Sequence, residues 1–65
     1  MNQEAERIRL RSELEEQIRM KLYEVGEEAG RLTEMDGIGM MNECHGLKSL
    51  VGQFESLIGE FRRRL

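Results

Sequence analysis

Apolar residues in the C-terminal half of the chain recur at Met40, Cys44, Leu47, Val51, Phe54, Ile58, Phe61 and Leu65, in alternating steps of four and three. That spacing keeps all eight side chains on one stripe of an α-helix, as the a and d positions of a heptad do, and it predicts a helix over about 40–64. Leu50 and Leu57 occupy g positions beside the stripe and make it wider than a two-stranded seam needs. The N-terminal half carries a second stripe, Leu14, Ile18, Leu22, Val25, Ala29 and Leu32, which predicts a helix over about 3–32. Asn2 is placed to cap it, and Glu4 and Glu6 fall in its first turn, where the helix dipole favours negative charge. Glu15 with Arg19 and Glu27 with Arg31 are i,i+4 pairs worth ~0.2–0.5 kcal/mol each. Upstream of Leu14 the stripe frays, with Ile8 and Leu10 on either side of it, so the first turns are expected to project beyond the packed region.

Between the stripes lies Thr33-Glu34-Met35-Asp36-Gly37-Ile38-Gly39, where two glycines flank a single apolar residue and break the helical pattern. The turn is expected there, over about 33–39; Gly30 offers an alternative C-cap that moves the end of the first helix back by several residues. The resulting expectation is all-α: one domain over residues 1–65, an antiparallel two-helix hairpin packed like a coiled coil. The arc of the second helix is too wide for one neighbour to cover, so the hairpin is expected to assemble into a helical bundle.

Size points the same way. Sixty-five residues lie near the limit at which a single core outweighs the entropy of ordering the chain, so a further staple is needed. Cys44 is the only cysteine, which excludes an internal disulfide, and Cys and His never recur at zinc-ligand spacing. Self-association or a protein partner remains, and a homo-oligomer is expected. No uncharged run approaches the ~18 residues of a membrane span, and no signal-peptide pattern opens the chain, so a cytoplasmic protein without membrane contact is expected. A net charge of −3 argues against nucleic acid, and the one basic cluster, Arg62-Arg63-Arg64, complements a helix C-terminus.

The residues predicted to bury, both within the hairpin and against a partner, are Leu47, Leu50, Val51, Phe54, Leu57, Ile58 and Phe61. On the opposite face of the same helix, Ser49, Gly52, Ser56 and Gly59 form a run of small residues. Glycine inside a helix costs roughly 0.8–1.0 kcal/mol relative to alanine, so this run reads either as a groove for close approach of another helix or as a tolerant solvated face. Catalytic chemistry finds little footing. Cys44 and His45 are neighbours and point about 100° apart on a helix, and the thiol belongs to the apolar seam, where an inert packing role is expected. Neither a cofactor nor a metal site is expected, and a non-enzymatic protein-interaction module, such as an adaptor, assembly subunit or co-chaperone, is the first reading.

The stretch Phe54-Glu55-Ser56-Leu57-Ile58-Gly59-Glu60-Phe61 resembles the Leu-Asp-x-Leu-Ile-x-x-Tyr pattern of the small aspartyl-phosphate phosphatases of sporulation phosphorelays, and Ile18-Arg19-Met20-Lys21-Leu22-Tyr23-Glu24 is similar to their first helix. Those proteins are antiparallel two-helix hairpins. The resemblance implies a regulator that binds a response-regulator receiver domain, with Gln53 and Glu55 facing it. Where the family carries Ser-Gln-Glu-Leu-Asp, this chain has Val51-Gly52-Gln53-Phe54-Glu55, without the serine and with glutamate for aspartate. The implied receiver binding therefore comes with or without phosphatase activity.

Overall fold

The computed structural model describes residues 3–65, so the expected cap at Asn2 lies outside the described residues. These residues form three helices, α1 (Gln3–Thr33), α2 (Gly37–Glu43) and α3 (His45–Arg63), and no strand. The helical reading of both stripes holds. The chain differs from the expected pair of helices in two places, the start of α2 and the joint between α2 and α3.

α1 ends at Thr33, whose hydroxyl donates to the Gly30 carbonyl at 2.7 Å; Gly30 lies inside the helix and does not end it. The turn is short, Glu34 to Asp36, because Asp36 caps the next helix early. Its backbone is extended and its carboxylate accepts the Gly39 amide at 2.8 Å. An aspartate at this position satisfies an amide that the first turn would otherwise leave unpaired. The cap carries the helix through Gly37 and Gly39 in spite of their low helix propensity, so helix begins at Gly37 rather than near residue 40. Gly39 suits the tight turn: a Cβ there would lie 3.1 Å from the Met35 Cβ and 3.2 Å from the Asp36 Oδ1.

At Cys44 the helical ladder is interrupted. The thiol donates to the Met41 carbonyl at 3.3 Å, a local bond that competes with the backbone ladder and bends helices. Cys44 keeps right-handed helical angles, φ −74° and ψ −10°, and its carbonyl accepts from the Lys48 amide at 3.0 Å. The interruption is therefore a joint between two nearly continuous helices.

α1 lies antiparallel along α3, with rising numbers on one helix meeting falling numbers on the other. Arg31 faces Glu43 at 3.5 Å, the Glu28 carboxylate lies over Gly46, and Lys21 Nζ donates to Gln53 Oε1 at 2.7 Å. Leu14 and Gln17 share a groove with Leu57 and Glu60, and Glu6 and Arg7 meet Arg63 and Arg64 at the far end. The first turns of α1 thus reach the end of α3 rather than projecting past it. The molecule is a rod, 56 × 15 × 11 Å, with a Cα radius of gyration of 15.8 Å against about 11 Å for a compact chain of this length.

Candidate functional site

Among the described residues, only Leu14 and Leu32, each 7 % exposed, are buried. Ile18, Val25 and Ala29 on α1 and Leu47, Leu50, Phe54, Leu57, Ile58 and Phe61 on α3 are half-buried. The accessible surface is 5064 Å², above the roughly 4300 Å² that a compact monomer of this mass exposes. Two helices meet along one line each, so the wider arcs seen in the sequence stay partly in water.

The direction of that exposure differs between the two broad sides of the rod. One side is polar in most of its residues. Its groove is lined by Gln17, Lys21, Glu24, Gln53 and Ser56, together with Leu57 and with Met20, which is 63 % exposed. Lys21 falls seven residues after Leu14, on the line that faces α3; its stem packs there, and its ammonium reaches Gln53 and, at 2.7 Å, Glu24. Sequence reading missed Lys21, although its step of seven from Leu14 was the available signal.

The other side is apolar. A groove between Ile18 of α1 and Ile58 and Phe61 of α3, edged by Glu15 and Arg19, runs along it. Residues seven apart share a line on a helix, and the outer lines of this side are Ile8, Glu15, Leu22 and Ala29 on α1 and Val51 and Ile58 on α3. Ile8 is 50 %, Leu22 49 % and Val51 38 % exposed.

The seven predicted burial residues therefore divide. Leu57 turns toward α1, sharing grooves with Leu14, Gln17 and Met20, whereas Val51 and Ile58 lie on the outer line. Leu47, Phe54 and Phe61 form a line of their own between these two positions on α3, and Leu50 lies seven residues before Leu57 on its line. Cys44 is half-buried at the joint, with its thiol committed to Met41.

Most of the small-residue run lies away from α1, and Ser56 also lines the groove shared with Gln17 and Lys21. Ser49, Gly52 and Ser56 are exposed, and a Cβ added at Gly52 would meet nothing within 4 Å. Gly52, Ser56 and Gly59 line a shallow polar groove with Glu55, Glu60 and Arg63. Gln53 and Glu55, the pair implied by the phosphatase resemblance, stand about 200° apart around α3. Gln53 is held on the polar side by Lys21 and donates to Ser49 Oγ at 3.3 Å; Glu55 is exposed in the groove beyond it. The fold does not bring the two onto one surface.

Ion pairs lie on the solvated faces, mostly three or four residues apart on one helix. Arg31 bridges Glu28 of its own helix and Glu43 of α2; hydrogen bonding to Glu28 holds its guanidinium above the ordinary range. Among the described residues, no group of three or more His, Cys, Asp or Glu side chains is placed to hold a metal ion, and no helix is long and apolar enough to cross a membrane. Compared with known proteins, the chain matches no family model and shows no significant similarity to a curated protein or to a solved structure.

Proposed function

We propose that this chain is a non-enzymatic protein-interaction module: an antiparallel helical hairpin, with α1 as one arm and α2–α3 as the other, that pairs through its apolar side with a second copy to make a four-helix bundle. The observation that carries this reading is the exposure of Ile8, Leu22 and Val51 on the side that holds the groove of Ile18, Ile58 and Phe61. Contiguous apolar surface of this kind marks an interface, and a solvated helix face has no use for it.

The size of the side supports a second copy as the occupant. The rod is 56 Å long and 15 Å across, an outline of about 840 Å²; a stable interface takes about 800 Å² from each partner. A two-fold axis through the apolar side would cover the same residues on both chains, as an isologous contact requires. Burial is the mechanism: each large apolar side chain moved from water to the interface contributes up to ~1.5–3 kcal/mol, reduced here because several are already half-covered.

Sedimentation equilibrium over a range of concentrations tests this. The expected mass is twice the 7.6 kDa of the chain. Leu22→Glu and Val51→Glu, at positions already open in the single chain, should return the mass to that of a monomer while leaving the helical circular dichroism in place. A wild-type protein that sediments as a monomer at every concentration would overturn the reading.

A further inference from the structure

The two ends of the rod carry opposite charge. At the end where the termini meet, residues 3–12 and 62–65 hold six arginines, Arg7, Arg9, Arg11, Arg62, Arg63 and Arg64, against Glu4 and Glu6. At the end that contains the turn, residues 22–52 hold six carboxylates, Glu24, Glu27, Glu28, Glu34, Asp36 and Glu43, against Arg31 and Lys48. The middle, residues 13–21 and 53–61, has five carboxylates against Arg19 and Lys21. Side chains alone create the polarity, since antiparallel helices oppose their dipoles and cancel them.

Local pairing leaves part of this charge unanswered at each end. Arg7, Arg9 and Arg64 have carboxylate partners on their own helices, whereas Arg11, Arg62 and Arg63 have no carboxylate within 4.0 Å among the described residues. At the turn end Glu24, Glu28 and Glu43 are paired, and Glu27 and Glu34 have no cationic side chain within 4.0 Å among the described residues. Nothing within one chain can join the two sets. They are separated along a 56 Å rod, several times the ~8 Å over which charges act at physiological salt.

We infer that the two copies pair antiparallel, the arginine-rich terminal end of each lying over the acidic turn end of the other. This rests on the self-association proposed above and adds its orientation. In a parallel pair, arginine ends would face each other and acidic ends would face each other, at separations where charges act. In the antiparallel pair the arginine-rich end of each copy, with Arg11 seven residues before Ile18 on the apolar side, meets the acidic end of the other, and both ends gain equally because the two-fold axis lies across the middle of the rod.

Spin labels settle the orientation on the full-length chain. Ile38 is exposed on α2 at the turn end, so a label on Ile38→Cys in a Cys44→Ala background reports where the two turn ends lie. Antiparallel pairing predicts an inter-label distance on the order of the 56 Å rod length. Raising salt from about 0.05 to 0.5 M should also weaken the wild-type dimer, by about tenfold or more in Kd, as favourable charges across the interface are screened. A dimer with labels about 20 Å apart, two helix spacings, would overturn the orientation and leave self-association standing, as would a dimer that salt strengthens. Absence of any intermolecular coupling, with a monomeric mass for the wild-type chain, would overturn both.

Discussion

Single residues set where this chain bends. Asp36 caps α2 by accepting the Gly39 amide, and Asp36→Ala should lower stability by about 1 kcal/mol, read as a fall in the urea midpoint with an unchanged m-value. Gly52 provides the contrasting case. With open space around its Cα, Gly52→Ala should raise stability by about 0.8–1.0 kcal/mol, the helix-propensity difference alone. A loss of stability or of self-association in that variant would show that another backbone approaches the Ser49, Gly52, Ser56 and Gly59 run, as the close-packing interpretation of those residues requires.

Among the elements, the joint between α2 and α3 is the informative one. Its interruption coincides with the Cys44 thiol bonding the Met41 carbonyl and with Gly46 in the next turn, under Glu28. Cys44→Ala removes the competing thiol and supplies the best helix former. Backbone chemical shifts of that variant should become continuously helical from Met41 to Leu47. Shifts unchanged from wild type would assign the joint to packing against α1 instead. Leu57 illustrates a related point about α3. Its place between α3 and α1 means that Leu57→Glu should unfold the pair of helices, with loss of helical signal, whereas Val51→Glu on the outer line should leave them folded.

For the whole molecule, Leu14 and Leu32 as the buried side chains among the described residues make a thin core for a chain that must order all its helices. On the proposed assembly the missing burial comes from the second copy, so folding and association are linked by mass action. The melting temperature should rise with protein concentration, and scanning calorimetry over a hundredfold range of concentration would measure it. Leu22→Glu should abolish that dependence and lower the melting temperature to a single value. A concentration-independent transition in the wild-type chain would mean that α1 and α3 are sufficient alone.

Helix was legible in the chain because its period is local: steps of three and four at Leu14, Ile18 and Leu22 and from Cys44 to Phe61 have one regular solution, and the absence of proline leaves it uninterrupted. The width of the second stripe, with Leu50 and Leu57 beside the seam, likewise announced more apolar surface than one neighbour covers. Three-dimensional arrangement decided which part of that surface stays open. A helix touches its neighbour along one line, and only the rotation of α3 against α1 determines that Leu57 turns inward, that Lys21 reaches Gln53 on the polar side, and that Val51 and Ile58 join Ile18 and Leu22 on the other. The polarity of the rod depends on the same step. Arg11 and Arg62 lie far apart in sequence, and only antiparallel packing of α1 on α3 puts them at one end, because it reverses the direction of the chain beside itself.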